Sequence, residues 1–376
     1  MKILEDRVMK VISSMGYNFI FNKVNGFMMR WGKTEEDNPD FSPFGPEILD
    51  IEISSSVPME EKPLYDCTRL VEDGGCKGEC PMCYKSNGKY PTYNMTLDEF
   101  KVVFHKMANT MMVNGEEVNA SPLTQIAFGI MNLDTNPDFF AMAEYSREHG
   151  VIPNFTMHGL DNIDEQLARR IVLLFGACAV SVYNKEKSYN VIKSLTKAAK
   201  VYNPNFKVNI HAILSQETLK RVYSIIDDSK KDKRLEDLNA IVILSLKQKG
   251  NGEKFNRVND KDFDDLVKYI FDSKVSIGFD SCTCNKFIES AKKVRNIDDI
   301  IDSCEPCESG MFSSYVNCKG EYFPCSFCER STEKWMEGMN VLKCESFIKD
   351  IWSSENVKEW RNKLVACNRS CPIFNV

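Results

Sequence analysis

Cysteine is the residue type through which this sequence could do chemistry. Cys76, Cys80 and Cys83 stand in Gly75-Cys76-Lys77-Gly78-Glu79-Cys80-Pro81-Met82-Cys83-Tyr84, a Cys-x3-Cys-x2-Cys run followed by an aromatic. Ten more, Cys282, Cys284, Cys304, Cys307, Cys318, Cys325, Cys328, Cys344, Cys367 and Cys371, crowd the last quarter, while Cys67 and Cys178 stand alone. With 15 cysteines against 4 histidines, any metal site is sulfur-dominated. Soft thiolates select zinc, copper(I) or iron–sulfur clusters. Three thiolates on one short loop can hold three irons of a cubane and leave the fourth open to another ligand. Structural zinc wants four closed ligands, usually from paired Cys-x2-Cys motifs, so the spacing favours the cluster. A disulfide framework belongs to small secreted chains. The opening MKILEDRVMKVISSMGY carries acids inside its apolar stretch, unlike a signal peptide, so the expected location is cytoplasmic.

These cysteines need a scaffold, and the sequence outlines one. Residues 1–45 read as an appendage in which YNFIF, NKVNG and FMMRWG form a β-hairpin. From residue 46 to 280 strands alternate with helices. EILDIEIS, LTQIAFGIM, VIPNFTMHG, ACAVSVY, FKVNIHAIL, LNAIVILSLK and KVSIGFD are strand candidates, separated by amphipathic helical runs. Thr96-Leu97-Asp98-Glu99 is a capping box ahead of Phe100, Val103, Phe104, Met107 and Met111 at helical spacing. DEQLARRIVLLFG is expected to end at Gly176. This alternation predicts a parallel sheet covered by helices, its strands buried on both faces. Six or so βα units suggest a closed or partly closed barrel, with a doubly wound sheet as the other option. Residues 281–376 are turn-rich and cysteine-rich, and read as a separate metal-stapled module. LKQKGNGEKFN reads as a solvated connection, and His105 and His149 as surface or packing residues. The net charge of -6 argues against a strongly basic nucleic-acid surface. Runs such as IVLLFGACAV are too short for a bilayer, so no membrane association is expected.

CKGECPMCY resembles the signature of the radical S-adenosylmethionine (radical SAM) superfamily, and the βα repeat resembles its partial (β/α)6 barrel. The resemblance implies a [4Fe–4S] cluster on Cys76, Cys80 and Cys83 whose open iron chelates S-adenosylmethionine (SAM). An electron, from a donor such as flavodoxin or ferredoxin, would cleave SAM to methionine and a 5′-deoxyadenosyl radical that abstracts a hydrogen atom from the substrate. Met82 and Tyr84 would lie against the cofactor. Phe128-Gly129-Ile130-Met131-Asn132 stands where the family carries a glycine-rich motif, often Gly-Gly-Glu; it keeps Gly129 and lacks the second glycine and the Glu. Thr156, His158 and Ser181 match positions that contact the SAM ribose or carboxylate, or are ordinary polar residues at strand ends.

Cys307, twelve residues, Gly320, four residues and Cys325 resemble the opening of the SPASM and twitch extensions of this family, which hold auxiliary [4Fe–4S] clusters. NCKGEYFPC reads as a β-hairpin with Lys-Gly at its turn. The later spacing departs from the full SPASM pattern and favours the single-cluster twitch arrangement. The ligands expected are Cys282, Cys307, Cys325 and Cys371, with Cys304 and Cys328 as substitutes and a zinc site as the alternative metal. Cys178 reads as a small packing residue. The expected substrate is a peptide or protein side chain; a nucleotide, nucleic-acid base or other small molecule is the alternative, and a non-catalytic redox protein a distant one.

Overall fold

The computed structural model describes residues 2–14, 16–34, 37–56, 70–71, 76, 80–85, 92–374 and 376; Cys67 lies outside them. Four strands come first, β1 (Lys2–Glu5), β2 (Met9–Ser14), β3 (Tyr17–Asn22) and β4 (Met28–Trp31), paired as an antiparallel meander. The expected hairpin is its second half. The first half, also a hairpin, was masked in the sequence by its charged residues.

The main sheet begins at β5 (Ile48–Glu52). Three short strands follow it, β6 (Ser54–Ser56), β7 (Leu70–Val71) and β8 (Thr92–Asn94), in the antiparallel order β6-β8-β7. Helix α1 (Leu97–Met107) starts at the expected capping box, with Thr96 and Glu99 bonded reciprocally. It stops before Met111 because Asn109 takes a φ of 47°, a left-handed conformation that ends helices. Met111 lies instead on β9 (Met111–Val113), which pairs with β10 (Glu116–Val118). The alternation then runs β11 (Gln125–Gly129), α2 (Phe139–Glu148), β12 (Ile152–Met157), α3 (Glu165–Leu174), β13 (Ala177–Ser181), α4 (Lys185–Tyr202), β14 (Lys207–Leu214), α5 (Leu219–Asp228), β15 (Ala240–Ser245), α6 (Asp260–Ser273) and β16 (Ile277–Phe279). That is six βα units and a closing strand.

These seven strands are parallel and lie in sequence order, β5-β11-β12-β13-β14-β15-β16. Parallel crossovers are right-handed, so an order without reversal puts every helix on one face. A doubly wound sheet needs a reversal, and none is present. Nor does β16 return to β5, so the barrel is partial, as expected.

The strands differ from expectation in one functional respect. Leu49, Ile51, Ile126, Phe128, Phe155, Cys178, Val180, Ile210 and Ile243 face the helices and are buried. The alternate residues Asp50, Ala127, Gly129, Asn154, Thr156, Ser181 and His211 are only partly covered. One face of the sheet therefore lines an open lumen of small and polar side chains, instead of both faces being buried. Gly176 is also not a helix cap. Helix α3 ends at Leu174, Phe175 is extended, and a Cβ on Gly176 would stand 2.5 Å from Ile152 Cγ2. Its hydrogen side chain permits close strand packing.

Beyond residue 280 the chain is more regular than its composition suggested. Helix α7 (Cys284–Val294) leads to β17 (Ser313–Val316), β18 (Glu321–Phe323), β19 (Met339–Asn340) and α8 (Glu355–Ala366). The expected hairpin is β17–β18, turning at Gly320 with a φ of 74°. Strand β17 pairs in parallel with β5, so the hairpin continues the barrel sheet at its first strand. The N-terminal meander joins the same body. Ile12, Tyr17, Phe19 and Phe21 pack with Ile152, Met311, Phe312 and Leu364. Arg30 ion-pairs with buried Glu47 at 2.8 Å and with Glu308, and its guanidinium lies 3.6 Å from the Phe312 ring centroid. Burial pushes the Glu47 carboxyl up to about 7 despite the guanidinium beside it.

Arg30 thus ties the first, middle and last parts of the chain together. Arg30→Met leaves Glu47 enclosed without its cation and Glu308 with Arg369 alone, and should cost about 3–5 kcal/mol in urea unfolding. The loss should shrink as pH falls from 7 toward 5: the folded carboxyls then bind protons that the unfolded chain does not, which favours the folded state. A variant with wild-type stability at pH 7 refutes this role.

Candidate functional site at the barrel mouth

The C-terminal ends of the parallel strands bring the sequence-selected residues to one rim. Glu52, Gly129 and Thr156 are neighbours in register across β5, β11 and β12. Ser181 and His211 form the next pair, on β13 and β14. A Cβ on Gly129 would lie 3.3 Å from Glu52 Cα, so glycine lets the two strand ends close up. Thr156 and Ser181 are half-buried on the lumen face. His158 is just beyond β12 and is held within its loop. Its Nδ1 accepts from the Leu160 amide at 3.0 Å, which leaves Nε2 to donate to Asn132 at 2.9 Å. His158 therefore braces the end of the Phe128–Asn132 stretch. Deeper in the lumen Asp50 faces the open space yet is surrounded by protein, and this partial enclosure pushes its carboxyl up to about 6. His211 is pushed down to about 4 by burial and is neutral at pH 7.

Cys76, Cys80 and Cys83 are half-buried above this rim. The Cys80 thiol lies 2.8 Å from the Tyr183 hydroxyl, just past β13. Burial pushes it up to about 11. The loop after β15 holds the other side. The Asn251 amide donates to the Cys83 carbonyl at 3.0 Å, and a Cβ on Gly250, where φ is 58°, would stand 2.5 Å from the Tyr84 oxygen. LKQKGNGEKFN is thus a cradle for the cysteine loop, not a solvated connection. Met82 is buried, and the Tyr84 ring lies 4.6 Å from that of Phe327.

Phe327 belongs to the second cysteine region, and the contact between regions goes further. Lys85 ion-pairs with Glu52 at 3.1 Å and with Glu329. The Tyr315 hydroxyl donates to Glu52 at 3.0 Å, and Asn317 donates to Glu329 at 3.0 Å. Lys249 donates to the carbonyls of Phe327, at 3.2 Å, and Glu329. Burial alone would lower the Lys85 pKa, but the two carboxylates outweigh it and the ammonium stays charged.

The C-terminal cysteines also gather. The Cys282 thiol neighbours those of Cys307 and Cys371, and Cys325 is close enough to both for its ionisation to feel theirs. Cys282, following the turn after β16, has one proton to share between them, and that sharing holds Cys307 and Cys371 below the ordinary thiol range. Lys247, paired with Asp280, adds positive charge beside Cys282 and Cys371. Cys328 borders Cys325 and Cys371, whereas Cys304 borders Cys284 instead. Cys318 lies beside Glu52 and Lys85. Cys178 is buried between β13 and the helices, a packing residue as expected. Among the described residues no group of three or more Cys, His, Asp or Glu side chains is arranged for a single metal ion; a cubane holds its thiolates farther apart than one ion does. His105 and His149 lie elsewhere, stacked around Tyr145 and sharing Glu117.

Tyr183, Lys85, Glu329 and Lys249 were not selected from sequence. Lys85 and Glu329 do adjoin cysteines, but they meet across 244 residues. No short-range signal announces such a pair.

No protein-family model and no curated protein sequence matches the chain. Solved structures do. SuiB of Streptococcus suis superposes with a TM-score of 0.62 at 9% identity, over 96% of this chain and 90% of SuiB. SuiB bound to its precursor peptide SuiA gives 0.63 at 9% identity, over the same shares of each chain. The chain therefore shares the fold of SuiB. The hydrogenase maturase HydG of Carboxydothermus hydrogenoformans is also matched, at 13% identity over 73% of this chain and 59% of HydG, with a TM-score of 0.38 that carries no argument.

The donor chemistry suits iron–sulfur clusters: three soft thiols share one loop above an open lumen, and four others converge, with Lys247 beside Cys282 and Cys371. The thiol geometry is testable before any cofactor is added. In the reduced, metal-free protein, alkylation of half-buried Cys371 should set in at a lower pH than for an ordinary thiol, because the neighbouring Cys282 and Lys247 stabilise its thiolate. Cys282→Ala removes the first of these neighbours and should move the onset up toward the ordinary thiol range of roughly 8.5. Mass-spectrometric mapping of the label checks both; identical profiles would show that the two thiols do not meet.

Proposed function

We propose that the chain is a radical SAM enzyme acting on a peptide or protein side chain. The observation that carries this is the meeting of two cysteine groups, distant in sequence, at the C-terminal mouth of an open parallel barrel. Cys76, Cys80 and Cys83 would hold the SAM-binding [4Fe–4S] cluster. Cys282, Cys307, Cys325 and Cys371 would hold an auxiliary one. Residues 1–45 are the appendage in this reading, 46–280 the barrel, and 281–376 the twitch-like or SPASM-like auxiliary module. When bound and reduced, cluster and SAM together supply a 5′-deoxyadenosyl radical that abstracts a substrate hydrogen atom. A small electron donor such as flavodoxin or ferredoxin would provide the electron.

The chain's own residues position and enclose. Gly129 lets a ligand approach the β11 backbone, while Thr156 and Ser181 offer hydroxyls on the lumen face. Tyr84 walls the loop against the second cysteine region, and Met82 is buried on its barrel side beside Tyr183 and His211. His158 keeps the glycine stretch in place through Asn132. The lumen beneath is polar and partly open, as a substrate chamber requires, and a plain electron carrier has no use for it. The likeness to SuiB, which binds a precursor peptide, supports the peptide class among possible substrates.

Reduction of the reconstituted protein with SAM should release 5′-deoxyadenosine, read by liquid chromatography and mass spectrometry. Replacing Cys76, Cys80 and Cys83 together by Ala should abolish that product and remove about four irons, leaving one cubane on the C-terminal thiols. Product from the triple variant overturns the first assignment. Zinc in place of the remaining iron overturns the second.

A further inference from the structure

Tyr183 stands one lumen-facing step beyond Ser181, where β13 has just ended. Its hydroxyl lies 2.8 Å from Cys80 Sγ, and among the described residues the phenol makes no other hydrogen bond. The residue lines a small cavity with Met82, His211, Ile213, Thr218 and Val222. In the metal-free protein the thiol donates to the phenol oxygen. A cysteine bound to iron is a thiolate and has no proton to give.

We propose that Tyr183 is a positioning residue for the first cluster, donating its hydroxyl hydrogen to Cys80 Sγ once that sulfur is bound to iron. The proposal rests on Cys76, Cys80 and Cys83 being the cluster ligands. Its consequence is electrostatic. Hydrogen bonds to cluster sulfurs are one of the levers on reduction potential. A donor favours the state with more negative charge on sulfur, which is the reduced one. Tyr183 therefore eases the one-electron reduction on which SAM cleavage depends, without touching SAM. No atom is transferred; the electron comes from the external donor, and the phenol proton stays shared between oxygen and sulfur.

The test uses the full-length, reconstituted protein and reads the first cluster by EPR-monitored redox titration. In Tyr183→Phe the ring still fills its pocket and only the donor is lost. Iron content should be unchanged, while the reduction equilibrium constant should fall about tenfold, equivalent to about 59 mV for one electron. An exchangeable hydron coupled to the cluster should appear in ENDOR spectra of the wild type after exchange into D2O and vanish in the variant. A Tyr183→Phe cluster of unchanged potential overturns the proposal and leaves the function standing. If Tyr183→Phe takes up no iron, the wild-type ENDOR spectrum decides: an exchangeable hydron supports the proposal and its absence overturns it. A wild-type protein with no cluster on this loop overturns the function itself, and this inference with it.

Discussion

Lys85 places its ammonium between Glu52, at the end of the first barrel strand, and Glu329, next to Cys328 in the last part of the chain. All three groups are largely buried. Such a charge set costs desolvation that an apolar cluster would not, and is strongly destabilising when one partner is missing. Completeness is therefore the constraint. The Tyr315 hydroxyl and the Asn317 amide satisfy further carboxylate oxygens. The cysteine loop, which ends two residues before Lys85, can settle only when segment 325–329 is already in place. The two cysteine regions are consequently parts of one assembly.

Backbone pairing makes that meeting geometrically available. Strand β17 adds in parallel to β5 and carries Tyr315 opposite Asp50, with Glu52 two residues on along the same face. The hairpin turn at Gly320 lies at the mouth end of the sheet, and β18 runs back from it before segment 325–329 reaches Lys85. Arg30 and the apolar face of the N-terminal meander close the other side against Glu47, Glu308 and Phe312. Because all crossovers lie on one face, the opposite face is left as a lumen. A substrate entering it would meet Asp50, Thr156, Ser181 and neutral His211, and would lie below the cysteine loop.

Local patterns in the sequence carried a large part of this. The capping box at Thr96, the βα alternation, the Lys-Gly hairpin turn and the Cys-x3-Cys-x2-Cys loop are short-range signals, each with a physical meaning inside a few residues. Tertiary structure decided the rest. A one-sided or two-sided burial of a strand such as ACAVSVY depends on what covers its second face, and small residues suit either case. The end of α1 turned on a single left-handed Asn109, and Gly176 answered to a neighbouring strand instead of to its own helix. Of the C-terminal cysteines, spacing could nominate Cys282, Cys307, Cys325 and Cys371 but could not show which thiols approach one another. That depends on β16, β18 and the C-terminal turn reaching one place. Lys85, Glu329 and Tyr183 were illegible for the same reason: a contact across a hundred or more residues leaves no periodicity in the chain, because it is made by the packing of whole elements and not by the residues alongside it.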